Sequence, residues 1–366
     1  MKIAYLNTFY SENNSSGGTT HIREFIEETI KAGHEIYTGK YNQHLKVKQI
    51  PENIIERIAA LLNYDVFYIR YEGAITKNMQ FSKFPQQLLL KNALLVWEFN
   101  TIPEYILTRG RNKVDVQTQK QLLAIEAEVC DLAICVTEEM SDYCEKTIGF
   151  KRTLTGSNGS NPNHFKPGLP IPERMKFFKD KINVVWSGSL YLSWNDTELL
   201  IKTAINLWQN GRSDICFHMI GEFPPGIVQE IPPNVFLYGK QPYEALPNWL
   251  SAMDIGVVLY KLRQNEFGSP IKLFDYLSSG LAVISTPHSQ TGRILGEIGQ
   301  EEFMLKSEDS KELSDLILGL ADNPQKLIRF KKDAREIILN KYNWANSVNK
   351  ILSELETLLT SKRKLK

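Results

Sequence analysis

The sequence predicts an α/β protein made of two doubly wound units with parallel sheets, and three observations carry this. Short apolar runs of strand character alternate with amphipathic stretches of helical period. The alternation runs through once, stops at a proline-bearing, basic stretch at 166–181, and then repeats. A chain of 366 residues also exceeds what one core comfortably holds. In the first unit, residues 1–165, strands are expected at Ile3–Leu6, Glu35–Thr38, Val66–Arg70, Ala93–Trp97 and Leu132–Val136. Between the first two lies a helix with Ile22, Phe25, Ile26, Thr29 and Ile30 on one face, closed by Gly33. Another helix is expected from Val116 to Cys130, and the polar run Thr155–His164 ends the unit. After the 166–181 linker, the second unit, 182–341, is expected to carry strands at Ile182–Ser187, Ile215–Ile220, Val235–Tyr238 and Ile255–Tyr260, with helices near Thr197–Gln209 and Leu246–Met253. Residues 342–366 read as a break at Tyr342–Trp344 and a final helix that crosses back to the first unit.

Composition narrows the function classes. Lys plus Arg number 43 against 42 Asp plus Glu, so the chain lacks the basic excess of a nucleic-acid binder. The four cysteines, Cys130, Cys135, Cys144 and Cys216, have neither CxxC spacing nor histidine companions and read as buried or incidental thiols of a reducing compartment. The opening residues read as a core strand, and no span reaches the ~20 apolar residues of a membrane helix. The expectation is a soluble, cytoplasmic protein. Its basic tail, Ser361–Lys366, offers a surface for anionic lipid at the inner face of a membrane, with a solvated terminus as the plainer account.

The segment Gly268–Thr286 carries the most chemistry. Ser269 suits an N-cap and Pro270 a first helical position, so a helix is expected to start here. Its free N–H groups favour an anion, and Lys272 in the first turn adds a full charge, which suits a diphosphate. Asp275, three residues on, shares the face of Lys272 and is placed to accept ribose hydroxyls. Leu273, Phe274 and Leu277 face a core, and Gly280 ends the helix before a buried Leu-Ala-Val-Ile strand. An ordinary capped helix with a solvated Lys–Asp pair would look the same on spacing alone. Near the start, Gly17 and Gly18 stand in a loop just ahead of the first helix, where they would let backbone approach a ligand. Neither a dinucleotide fingerprint nor a P-loop follows a strand, and no histidine cluster or DxD pair supplies metal ligands. Charge toward a phosphate must then come from the protein, with no cofactor and no metal.

Taken in order, Ser16–Phe25, Lys31–Glu35, Ser157–Phe165, Val185–Leu190, Met219–Glu222, Asn234–Gly239, Ala252–Gly256 and Ser269–Leu277 with Gly280 resemble a retaining glycosyltransferase of family 4. The resemblance covers nearly the whole length and implies the GT-B fold, two Rossmann-like domains facing a central cleft. It implies that Asp275 binds the nucleotide ribose and that Gly268, Ser269, Pro270 and Ile271 contact the donor sugar and diphosphate. The first acid of the family's E-x7-E pair falls on Phe267, with Glu266 beside it, and the usual cations after the domain's first strand are replaced by Ser189 and Asn195. Lys272, helped by Arg263, is the candidate for the missing charge. The base is expected near Gly239–Tyr243, with Lys240 and Tyr243 in contact. Glu98 joins Lys272 and Glu266 as a catalytic candidate, while Arg70, Glu72 and Asn100 are candidates for the acceptor side. For His21, His34 and His288, packing or capping is the expected role.

The expected activity is metal-independent, retaining transfer of a hexose from a nucleotide sugar, UDP-glucose first and GDP-mannose second. The acceptor is expected to be a saccharide or lipid-linked saccharide in polysaccharide or glycoconjugate synthesis. A sugar-nucleotide-binding scaffold and a nucleotide-sugar epimerase are the alternatives.

Overall fold

A computed structural model of the chain describes residues 1–6, 16–39, 46–52, 56, 60–73, 75, 80–83, 87–105, 115–189, 192, 194–223, 231–261 and 267–364. Two compact units emerge. One holds Met1–Asn158, Phe267–Ser269 and Trp344–Lys366; the other holds Gly159–Glu266 and Pro270–Asn343.

The first unit is built on β1 (Lys2–Leu6), α1 (Gly17–Lys31), β2 (Glu35–Thr38), β3 (Lys48–Gln49), β4 (Val66–Tyr71), β5 (Leu94–Phe99), α2 (Val116–Val129), β6 (Leu132–Cys135), α3 (Glu138–Tyr143) and β7 (Thr153–Thr155). Its seven strands run parallel in the order β3-β2-β1-β4-β5-β6-β7. Every residue of β4 and β5 is buried, as expected of parallel strands covered on both faces. The two- and three-residue strands β3 and β7 escaped the sequence reading because they lie at the sheet edges and are too short for an apolar run. Gly17 and Gly18 form the first turn of α1 rather than a loop ahead of it. The cause is Ser16, whose extended backbone and hydroxyl cap the helix by accepting from Thr19 N at 3.2 Å.

The second unit contains β8 (Ile182–Ser189), α4 (Thr197–Gln209), β9 (Ile215–Glu222), β10 (Val235–Leu237), α5 (Leu246–Leu250), β11 (Ile255–Val258), α6 (Ile271–Ser278), β12 (Ala282–Ser285), α7 (Ser289–Glu297), α8 (Ser310–Ala321) and α9 (Pro324–Asn340). Five parallel strands take the order β10-β9-β8-β11-β12. β11 stops at Val258 because the chain beyond it turns toward the segment after β8: Leu259 O accepts from Asp196 N, and Tyr260 bridges Asn195. Residues 166–181, read from the sequence as a linker, carry a 3-10 helix at Glu173–Phe178, and its Met175 is buried in the unit's core.

The last helix, α10 (Trp344–Lys364), belongs to the first unit. Val348, Ile351, Leu352 and Leu355 pack with Ile22, Phe25 and Ile26 of α1. In its basic end Lys362 and Arg363 make ion pairs, while Arg363 and Lys364 are exposed. Lys362 Nζ donates to both Asp131 oxygens at 2.8–2.9 Å and to Ala93 O, and Arg363 pairs with Asp65 at 2.5 Å. Cations in the last turn also suit the helix dipole. Among the described residues no helix is long and apolar enough to cross a membrane. Cys135, Cys144 and Cys216 are buried, Cys130 is partly so, and all are free thiols.

Candidate functional site

In doubly wound sheets, ligands bind beyond the carboxyl ends of the strands where the strand order reverses. That point lies between β1 and β4 in the first unit and between β8 and β11 in the second. A charged side chain stands near each, and the two charges are treated differently.

In the first unit, parallel pairing sets Arg70 of β4 beside Glu98 of β5. The Glu98 carboxylate, 1% exposed, accepts from four donors: Tyr5 OH (2.9 Å) and Arg70 Nη1 (3.0 Å) on one oxygen, His21 Nε2 (2.5 Å) and Tyr68 OH (3.2 Å) on the other. Four donors fill the acceptor capacity of a carboxylate. Burial would raise its pKa, but the His21 and Arg70 charges outweigh that and hold it at about 2. Burial, reinforced by Glu98, pushes the Tyr5 and Tyr68 hydroxyls up, so both remain donors. Glu98 is thus saturated by its four donors and holds His21 and Arg70 in place. Arg70 reaches on through Nε to Glu72 at 2.5 Å and lies against Gly18, where an added Cβ would sit 3.7 Å from Nη2. Asn100, of the same acceptor-side set, is half-buried, and its Nδ2 has no hydrogen-bond partner among the described residues.

His21 has a larger part than packing or capping. Its Nδ1 meets Asn158 Oδ1 at 2.6 Å, and Asn158 Nδ2 donates to Ser269 O at 2.7 Å, which fixes the amide's orientation. The same short segment is anchored by Phe267. Its ring packs 5.5 Å from Tyr143 and 6.2 Å from Tyr105, and its carbonyl accepts from Thr137 Oγ1 at 3.2 Å. An aromatic residue therefore stands at this position because it fills an apolar pocket of the first unit. Gly268 is buried and Ser269 half-buried.

In the second unit, α6 starts one residue later than expected. Pro270 is the N-cap, and neither its side chain nor Ser269 Oγ caps the helix. Pro270 is buried and Ile271 half-buried. Lys272, in the first turn, directs its ammonium over the Trp186 ring at 4.5 Å and within 5.7 Å of the Tyr260 ring. No carboxylate among the described residues pairs with it, and burial pushes its pKa down to about 7. Gly188, at φ +151°, makes this placement possible: a Cβ there would lie 3.0 Å from Lys272 Nζ and 3.3 Å from the indole. Tyr276, one turn further on, joins Ser187 of β8 by accepting from its amide at 2.7 Å.

Asp275 is 6% exposed, and its Oδ1 accepts from Ser160 Oγ at 2.8 Å. The sequence reading put it on the face of Lys272, and the two indeed leave the same helix, but toward different partners. Ser189 is half-buried, and its carbonyl accepts from Asn195 Nδ2 at 2.8 Å, while Asn195 Oδ1 is buried without a hydrogen-bond partner among the described residues. Lys240 is exposed. Tyr243 is 8% exposed and stacked on His164, with ring centroids 4.7 Å apart, so that face of its ring is already occupied. Arg263 and Glu266 lie outside the described residues. Trp186, Tyr260, Asn158 and Ser160 were not singled out from sequence, because each acts through a partner distant in the chain.

Residues 181–323 match the family model described as glycosyl transferases group 1. An uncharacterized glycosyltransferase of Methanocaldococcus jannaschii is 22% identical over 189 residues, which are 50% of this chain and 47% of that protein. The match therefore spans about half the length of that curated relative. Among solved structures, sucrose-phosphate synthase from Thermosynechococcus elongatus superposes with a TM-score of 0.68 at 14% identity, covering 98% of this chain and 99% of the other. Anabaena HepE in complex with UDP-glucose gives 0.68 at 14% identity, with 98% and 100% covered. WaaG, a glycosyltransferase involved in lipopolysaccharide biosynthesis, gives 0.64 at 12% identity, with 95% and 98% covered. The fold is GT-B, and together the family match and these relatives support a transferase.

Proposed function

We propose that this chain is a retaining glycosyltransferase that takes a hexose from a nucleotide sugar, with UDP-glucose as first candidate and GDP-mannose as second. The acceptor proposed is a saccharide or lipid-linked saccharide of polysaccharide or glycoconjugate synthesis. The observation that carries the reading is Lys272: a half-buried cation at the switch point of the second sheet, in the first turn of a helix, with no carboxylate beside it among the described residues. Such a group favours an anionic ligand, and the helix N-terminus adds to the attraction. HepE, which has the same fold, is known with UDP-glucose bound, and that supports a uridine donor here.

Glycosyl transfer leaves negative charge on the departing diphosphate while the sugar becomes oxocarbenium-like. A charge aimed at the diphosphate stabilises that state more than the ground state, which is what lowers a barrier. In this reading Lys272 does that work, Asp275 holds the ribose hydroxyls, and Ser160 orients Asp275. The acceptor attacks from the face that the diphosphate leaves, and a phosphate oxygen takes its proton, so no protein nucleophile is required. Glu98, with its acceptor sites filled, positions His21 and Arg70 within the first unit. Metal independence belongs to the same reading, since Lys272 takes the place of a divalent cation.

The test is calorimetry with UDP- and GDP-sugars, with and without EDTA, followed by NMR of the released or transferred sugar. EDTA-insensitive binding of one donor and an anomer-retaining product is the expected result. Binding without turnover would instead favour a sugar-nucleotide-binding scaffold, and loss of binding in EDTA would overturn the metal-free mechanism.

A further inference from the structure

An ammonium withdrawn in part from water is held by partners in the protein. Elsewhere in this unit the usual solution is used: Lys331 pairs with Asp254 at 2.9 Å. At Lys272 the neighbours are rings. Trp186 is fully buried on β8 and presents its face 4.5 Å from the ammonium, with Tyr260 at 5.7 Å on the other side of the strand-order reversal. Among the described residues, no carboxylate pairs with the ammonium. The Tyr260 and Tyr276 hydroxyls are pushed up by burial and stay neutral, and Asp275 turns to Ser160. The gap between Lys272 and the indole is built into the sheet. Gly188 pairs with Gly221 across β8 and β9, a Cβ on Gly221 would lie 1.7 Å from Gly188 O, and one on Gly188 would wedge between ammonium and indole.

We propose that Trp186 is the positioning residue of the Lys272 site, its indole face holding the ammonium in the place a carboxylate would otherwise take, so that the positive charge is left for the donor's diphosphate. A ring quadrupole attracts a cation without cancelling its charge, whereas a carboxylate would both neutralise Lys272 and repel a diphosphate. The ring thus fixes direction and leaves charge, which fits a site for an anion that arrives and departs. The donor part of this proposal rests on the glycosyltransferase reading; the seat itself does not.

The experiment replaces Trp186 site-specifically with tryptophans carrying one to four ring fluorines, which drain the quadrupole while keeping shape and packing. Lys272 is followed by NMR as its ¹³C-dimethylated amine, assigned by the loss of its signal in Lys272→Met. The titration midpoint of Lys272 is expected to fall stepwise with fluorination, by about half a pH unit or more across the series. UDP-glucose affinity should fall several-fold in the same order. Fluorination in the Lys272→Met background should leave affinity unchanged, which a merely structural role for the indole would not predict. A midpoint that does not move across the series overturns the proposal, whatever donor affinity does. A moving midpoint in a protein that binds no nucleotide sugar keeps the indole seat and overturns the donor reading instead.

Discussion

The two sheets solve the same problem in opposite ways. Both bring a charged side chain near the strands that flank the order reversal: Glu98 reaches from β5 to Tyr5 of β1 and Arg70 of β4, and Lys272 reaches from α6 to Trp186 of β8 and Tyr260 after β11. In the first unit that charge is Glu98, matched by Arg70 and His21 and bonded by two tyrosine hydroxyls. In the second it is Lys272, with only aromatic faces for company among the described residues. Breaking a satisfied buried pair costs stability, whereas removing a buried charge that lacks a counter-ion relieves the fold. The difference separates a charge tied into a hydrogen-bond network from one that, in the proposed function, is kept for a ligand.

The sharpest way to break the comparison is Glu98→Gln. It removes the charge that Arg70 and His21 share, leaving Arg70 its pair with Glu72, and is expected to cost about 3–5 kcal/mol of stability, read as a lower urea midpoint. Lys272→Met should do the reverse. It is expected to lower donor turnover by about 100-fold, the scale of losing one charge-stabilising contact in a transition state, yet to raise stability at neutral pH by on the order of 1 kcal/mol. A Lys272→Met protein that is less stable than the parent would mean the ammonium is part of the scaffold. Next comes Ser160→Ala, which removes the donor to Asp275 and should weaken nucleotide-sugar binding about tenfold, the scale of one hydrogen bond to a charged group, while affinity for inorganic pyrophosphate stays the same.

The smallest effect is in the pH dependence, where the two units have opposite signs. Glu98 is depressed from 4.5 to about 2, so its contribution is present above about 4.5 and drains away as pH falls toward about 2. Lys272 is depressed from 10.5 to about 7, so between those values the unfolded chain binds the extra proton and stability rises with pH. The stabilising effect of Lys272→Met should therefore be largest at pH 7 and below, and should fade toward pH 10.5. Denaturant melts at pH 6.5 and 9.5 for parent and variant test this directly.

Much of the fold was legible. The apolar runs placed β1, β2, β4, β5, β6 and all of the second unit's strands, with end errors of one to two residues, because fully buried parallel strands leave a strong local signal. The edge strands β3 and β7 lack that signal. Ends were missed where the partner lay elsewhere: β11 stops short because Leu259 and Tyr260 meet Asp196 and Asn195. Of the candidate site, Lys272 and Asp275 stood out because helical spacing and a proline-led start are local features. The roles of Glu98 and Tyr243 could not be read, since nothing near them in sequence announces that Glu98 has four donors or that His164 covers a face of Tyr243.

By itself, then, the sequence determined the alternation of strands and helices, the repeated α/β plan, and the charge and acid of α6, because period, caps and composition act over one or two turns. Only the tertiary structure decided which charges are spent and which are kept. That outcome depends on burial and on partners brought together from distant strands: Arg70 and His21 close around Glu98, while Trp186 lies beneath Lys272 and no carboxylate among the described residues does.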